Sequence, residues 1–408
     1  MKLIKFAFIL LMSSHVNAQI RALFIGNSYT ASHNMTTMVT QAASSAGFNI
    51  VTSQHTPGGA TLNMHTQNPN TYSLMSAQNW DFVVFQAQSQ EPAFPYSQVS
   101  VQTLPYAAQL VDSVRSIVPC AQPTFFRTWG RKNGDIWNCA SYPPICTYEG
   151  MDSLLHLRYR MMADSNDAFL SPVGSVWRYI RNTDTTIELY SSDGSHPSLA
   201  GSYVAACTFF TMFTRHDPTN ITYNASLNAN VAQTIRQATK AVVYDSLAVW
   251  NVGAFDVQAH IQYSMAHDTL DYSSTSINAD SIYIEFGDGN GSSNATGQHV
   301  YGQQGQFNVE LRAYRCNDVD SVDFDVQATL SNSGTPVAEM NVAHPNQLFN
   351  HWPHHLKHAI VFDLNGQLVW EASAGQIQPW IIEEQGVFIL QCQWDDGQIT
   401  RQTFGQTK

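Results

Sequence analysis

Charge is scarce in this chain. Of 408 residues only 12% are Asp, Glu, Lys or Arg, and the formal sum is −12. A surface so poor in cations offers no basic face to nucleic-acid phosphates, which excludes that class of partner. Its polarity must come largely from Ser, Thr, Asn and Gln, a composition suited to neutral substrates. Cysteine is sparse too: Cys120, Cys139, Cys146, Cys207, Cys316 and Cys392 include no C-x-x-C pair, so they do not read as a metal site. A P-loop, a dinucleotide fingerprint and an H-E-x-x-H site are all missing, and no cofactor is implied. Beyond the N-terminus no apolar run approaches transmembrane length.

The N-terminus itself has Lys2 and Lys5, an apolar run from Phe6 to Met12, and Val16-Asn17-Ala18. Charge, length and small-residue ending are those of a secretory signal peptide, so residues 1–18 are expected to be absent from the mature protein. Export permits disulfides. Cys139 with Cys146 is the preferred bridge because both flank a Pro-Pro loop, and the remaining cysteines read as buried thiols.

The length allows two or three domains, and 44% apolar residues suffice for packed cores. From Arg21 to about Asp245, strand-like apolar runs alternate with helical patterns, which predicts a parallel sheet covered by helices. Strands are expected at Arg21–Gly26, Asn49–Gln54, Asp81–Gln86, Pro123–Thr128 and Ala168–Pro172. Helices are expected at Thr36–Ala46, Val101–Ile117, Tyr148–Ala163, Ser198–Phe213 and Asn228–Ser246. Ligands of such sheets bind beyond the carboxyl ends of the strands. Ser28, Gly59 and Gln88 each follow a predicted strand end, so three segments point to one crevice. After about Val252 short alternating runs between Gly, Asp, Asn and Ser turns predict all-β modules, with a linker at 331–336.

A serine hydroxyl becomes a useful nucleophile when a base takes its proton and a third group fixes that base. Ser28 lies in a Gly-Asn-Ser-Tyr turn between a strand and a helix, His196 is the candidate base, and Asp193 precedes it by three residues in one polar loop. Taken singly, the three read as a helix cap, a surface histidine and a turn residue. Jointly, their placement after strand ends and before helices points to catalysis. Trp129 and Arg131 follow another strand, where an aromatic face and a guanidinium suit a sugar or acyl pocket. Core packing and an ion pair are the competing readings.

The blocks Phe24-Ile-Gly-Asn-Ser28-Tyr, Gly58-Gly59 and Asp193-x-x-His196 resemble the SGNH or GDSL hydrolases over about residues 21–215. The resemblance implies a three-layer flavodoxin-like α/β domain over residues 19–250. It also implies Ser28 as nucleophile, Asp193 and His196 as its partners, and an oxyanion hole from the Ser28 amide, Gly59 and Gln88. The chain departs from the family pattern twice: Asn27 replaces the usual Asp, and Gln86-Ala-Gln88-Ser89 replaces Gly-x-Asn-Asp. The second departure is similar to a divergent, Gln-rich branch.

Residues 254–330, with Gly287-Asp288-Gly289, His299-Val-Tyr301 and Phe307, resemble a PKD domain, a small β-sandwich for which a spacer role is preferred and carbohydrate binding is the alternative. Residues 337–408, with Asp363-Leu-Asn-Gly366 and Gly386-Val-Phe-Ile-Leu390, resemble a type IX secretion C-terminal sorting domain. That resemblance implies a Bacteroidota-type protein, the type IX machinery as partner, and a secreted or cell-surface location. His351, His354, His355 and His358 read as a solvated loop, because Pro353 spoils a helical ligand face. The expected activity is hydrolysis of an O-acetyl or other short acyl ester, on a carbohydrate, through an acyl-serine intermediate. A noncatalytic glycan-binding surface protein is the alternative.

Overall fold

The computed structural model describes residues 19–329, 356–363, 367–373, 386–395 and 399–406. The expected leader, the linker, and His351, His354 and His355 lie outside them. The chain divides into two compact units, up to Phe255 and from Asp256 onward.

The first unit alternates strands and helices as its periodicity predicts. In chain order they are β1 (Ile20–Ile25), α1 (Ser28–Ala31), α2 (Met35–Ser45), β2 (Ile50–His55), α3 (Leu62–Thr66), α4 (Pro69–Met75) and β3 (Phe82–Phe85). There follow α5 (Tyr96–Gln102), α6 (Leu104–Ile117), β4 (Gln122–Phe126), α7 (Tyr148–Asp164), β5 (Phe169–Ser171), α8 (Val173–Thr183), α9 (Leu199–Thr214) and α10 (Ala229–Val242). The five strands are parallel in the order β2-β1-β3-β4-β5, the doubly wound flavodoxin-like arrangement.

Such a sheet is covered on both faces, so its inner strands are largely apolar and alternate aromatics between layers, whereas the edge strand β2, Ile50-Val-Thr-Ser-Gln-His55, is mostly polar. Phe24, Phe82 and Phe126 meet Phe209 and Phe213 of the buried helix α9, with centroids 4.9 Å apart for Phe24–Phe209 and 4.4 Å for Phe82–Phe213. Phe85 and Phe125 pair on the opposite face. Each such ring contributes about 2–3 kcal/mol by leaving water. Register then aligns the strand ends: Gly26 N–H donates to His55 O at 3.0 Å, and Gln86 N–H to Ile25 O at 2.9 Å. The residues following β1, β2 and β3 therefore emerge at one level.

Two local expectations change. The helix predicted over Val101–Ile117 is two helices: α5 ends at Gln102, Thr103 leaves helical geometry, and α6 restarts with Pro105 in its first turn, where a missing N–H costs nothing. Helix α8 fills the stretch between Pro172 and Asp184 that the strand-and-helix reading left open. Cys139 and Cys146 form the expected disulfide, and Cys207 and Cys392 are buried thiols. Cys120 and Cys316 are disulfide-bonded, which corrects the expectation of free thiols.

The second unit has two separate cores. One lies between the antiparallel sheets β10-β7-β6 and β12-β11-β8-β9, built from β6 (Ile261–Ala266), β7 (Thr269–Ser274), β8 (Ser281–Glu285), β9 (Gly291–Ser292), β10 (Thr296–Val300), β11 (Gly305–Arg315) and β12 (Asp318–Ala328). Here the Gly287-Asp288-Gly289 turn is tied to His299 at 2.8 Å, His299 stacks on Phe286, and Tyr301 stacks on Phe307. The other core backs the sheet β14-β13-β15-β16, from β13 (Leu356–Asp363), β14 (Leu368–Ser373), β15 (Gly386–Trp394) and β16 (Ile399–Gln406). His358, expected in a solvated loop, lies instead in β13 and meets Glu371 of β14 at 2.8 Å.

Candidate active site

The turn after β1 is fixed from three sides. A Cβ on Gly26 would lie 2.7 Å from Thr30 Oγ1 and 2.8 Å from Gln86 Oε1, so any side chain there would have to displace the Thr30–Gln86 hydrogen bond. Asn27 is buried and caps α1: its Oδ1 accepts from Tyr29 N–H at 3.1 Å, while its Nδ2 donates to Ala60 O at 3.0 Å. Gln86 Oε1 accepts from Asn27 N–H at 2.9 Å and from the Thr30 hydroxyl at 3.0 Å. Below the turn, His65 Nε2 meets Gly26 O at 2.9 Å. Burial pushes the His65 pKa down to about 4, so the ring is neutral and its Nε2–H is the donor.

Ser28 is the first residue of α1, and its Oγ lies 2.9 Å from His196 Nε2. On the far side of that ring, Nδ1 is 2.5 Å from Asp193 Oδ2. Asp193 Oδ1 accepts from the N–H groups of Ser195 and His196 at 2.9 and 3.0 Å, so the acid holds both the ring and its backbone. Burial works to raise the Asp193 pKa, but the His196 ring and these two N–H groups bring it below the ordinary carboxylate value. The pair is open to water, with side-chain exposures of 48% for Asp193 and 40% for His196.

Aromatic packing supports this loop. Tyr29, beside the nucleophile, meets the His196 ring edge-on and bonds Ser195 Oγ through its hydroxyl at 2.6 Å. Trp129 Nε1–H donates to Ser195 O at 3.1 Å. Its ring runs parallel to Tyr29 and to Trp177, with centroid separations of 4.9 and 3.8 Å. Buried Asp152 accepts from Gly130 N–H at 3.3 Å and pairs with Arg127 and Arg178, each at 2.7 Å. The strand-end loop carrying Trp129 is thus anchored from beneath.

The other anticipated residues divide. Gly59 lies in the Pro57–Ala60 turn at φ +69°, tied to the nucleophile turn through Asn27 and Ala60. The Gln88 side chain serves its own loop: Oε1 accepts from Gln90 and Glu91 N–H at 2.7 and 3.1 Å, and Nε2 donates to Gln90 Oε1 at 3.3 Å. Trp129 is 0% exposed, so it has no free face for a sugar and the core reading of it prevails. Arg131 pairs with buried Asp135 at 3.2 Å.

Sequence reasoning passed over His65, Tyr29, Ser195 and Gln86 as supports. Only Gln86 carried a signal, a polar side chain closing an apolar strand. Among the described residues no group of three or more His, Cys, Asp or Glu side chains converges as a metal site.

No family model matches the chain, and no curated protein does. Among solved structures it is similar to a DUF4886 family protein from Bacteroides uniformis, with 17% identity and a TM-score of 0.48 over 57% of this chain and 95% of the other. It is also similar to a proposed SGNH hydrolase from Slackia heliotrinireducens, with 27% identity and a TM-score of 0.39 over 47% and 98%. A PKD1 domain of a Vibrio cholerae metalloprotease is 20% identical, with a TM-score of 0.17 over 18% of this chain and 98% of that domain. At these scores the chemistry is read from the chain's own geometry.

Proposed function

We propose that the chain is a serine ester hydrolase of the SGNH type, acting on O-acetyl or other short acyl esters of neutral carbohydrates outside the cell. The observation that carries the reading is the continuous relay from Ser28 Oγ through both nitrogens of His196 to Asp193. Ser28 Oγ attacks the ester carbonyl carbon as His196 Nε2 takes its proton, and Asp193 holds Nδ1–H and stabilises the imidazolium. The C–O bond to the alcohol then breaks, with the Nε2 proton passing to the leaving oxygen. Water, deprotonated by the same nitrogen, attacks the acyl-serine, and its collapse releases the acid and restores Ser28. The Ser28 amide and the Gly59 turn are the proposed surroundings of the oxyanion. The sparse charge supports a neutral substrate, and the N-terminal and C-terminal sequence patterns support export by the type IX route.

A fluorophosphonate probe tests the nucleophile. Its adduct is expected on Ser28 by peptide mapping, lost in Ser28→Ala and strongly slowed in His196→Ala. Labelling that maps to another serine, or that persists at full rate without His196, would contradict the relay.

A further inference from the structure

The loop from Arg131 to Thr147 carries two side chains that no core explains. Ile136 is 69% exposed and Trp137 82%, whereas Trp80, Trp129, Trp177 and Trp250 of the same unit are all buried. The loop beneath them is tightly built. Asp135, wholly buried, accepts from Gln90 Nε2 at 2.6 Å, Asn138 Nδ2 at 2.8 Å and Trp137 N–H at 3.3 Å, and it pairs with Arg131. Asp135 N–H donates to Ile145 O at 2.8 Å, and the Cys139–Cys146 disulfide closes the far end.

This loop is tied to the base loop and to the segment that leaves β3. Lys132 N–H donates to Gly194 O at 2.8 Å, within the base loop, and Gln90 adjoins the Gln88-Ser89 segment that leaves β3. An indole held by its backbone in water, on a loop hydrogen-bonded to the base loop, is a flat, convex surface. Acyl chains are taken by enclosed apolar slots. A pyranose instead lays its C–H face on an exposed ring, leaving its hydroxyls to water and to neighbouring polar groups. A net charge of −12 also opposes docking on an anionic lipid surface.

We propose that Trp137 is a sugar-stacking platform that holds a neutral pyranose ring of the ester's alcohol portion beside Ser28. The proposal rests on the serine-esterase reading and replaces Trp129 with Trp137 as the stacking aromatic.

The test uses the full chain with Ser28→Ala, titrated by tryptophan fluorescence with xylohexaose, cellohexaose and chitohexaose. Saturable quenching by at least one is expected, and its loss in Ser28→Ala/Trp137→Ala with an unchanged melting temperature supports the platform. In the active chain, Trp137→Ala is expected to lower the ratio of kcat/KM for acetylated xylo-oligosaccharide over p-nitrophenyl acetate at least tenfold, mainly through KM, with Trp137→Phe recovering part of it. Quenching by none of the sugars, or a ratio that does not move, overturns the proposal. A loss confined to p-nitrophenyl octanoate gives the loop to the acyl chain, and Trp137-dependent capture by phosphatidylcholine vesicles gives it to lipid; either overturns it as well. Absence of all ester turnover with sugar quenching intact refutes the esterase reading alone.

Discussion

Asn27 uses both ends of its amide, one as acceptor for Tyr29 N–H and one as donor to Ala60 O. A carboxylate has no N–H to give, so the asparagine that departs from the Gly-Asp-Ser pattern has a structural reason in this chain. Asn27→Asp should destabilise the protein by about 1–3 kcal/mol at neutral pH, because an anionic oxygen then faces the buried Ala60 carbonyl. Urea denaturation checks this, and unchanged stability would contradict it. Asp193 permits a second prediction. Because the Asp193–His196 pair is open to water, its electrostatic worth is screened. Asp193→Ala should cost about 10²-fold in kcat, whereas His196→Ala should cost ~10⁴-fold or more. Equal losses would show that the acid works as though buried. Ser28, His196 and Asp193, singled out together from the sequence, lie within hydrogen-bond distance in series. Trp129 was misread because a strand-end position says nothing about burial, and Trp177, which covers it, lies in a helix the sequence pattern left unread.

At the scale of elements, helix α3 brings His65 under the nucleophile turn, and the segment after β3 buries Glu91 with its Oε2 unpartnered. Burial lowers the His65 pKa to about 4 and raises that of Glu91 to about 7. The two shifts act on stability in opposite directions. For His65 the unfolded chain binds the proton more readily, so its contribution is complete above about pH 6.5 and lost as pH falls toward 4. For Glu91 the folded chain binds it more readily, so stability is complete below about 4.5 and lost as pH rises through 7. Melting temperatures across pH 4 to 8 should show His65→Gln flattening the acid limb. Glu91→Gln should flatten the alkaline limb and exceed the parent in stability at pH 8. A Glu91→Gln variant less stable than the parent at pH 8 would refute the assignment. Long elements such as α7 and α9 were legible from periodicity. The break at Thr103 and the short helices α3 and α4 depend on local backbone geometry that periodicity averages away.

Across the whole molecule, the first unit has a continuous core of its own, drawn from both faces of its sheet. Residues 19–255 alone are expected to melt cooperatively and to retain turnover of a small ester within a few-fold. A fragment that does not fold would show that the β modules are required for its stability. The change from helical to strand period near Val252 lies close to the division after Phe255, and the described residues of the second unit hold two separate cores. What no periodicity could show was the path of the Arg131–Thr147 loop, since its shape comes from Asp135 gathering partners from this loop and from Gln90.

The role proposed for Ser28 is that of nucleophile in an esterase. Release of acetate from p-nitrophenyl acetate and from acetylated xylo-oligosaccharide by the purified protein, with Ser28→Ala beside it, decides the point. Turnover by the parent that falls ~10⁴-fold or more in the variant, with an unchanged melting temperature, is the predicted result. Equal rates in the two, or none in a correctly folded parent, would contradict it and favour a surface protein that binds glycans without cleaving them.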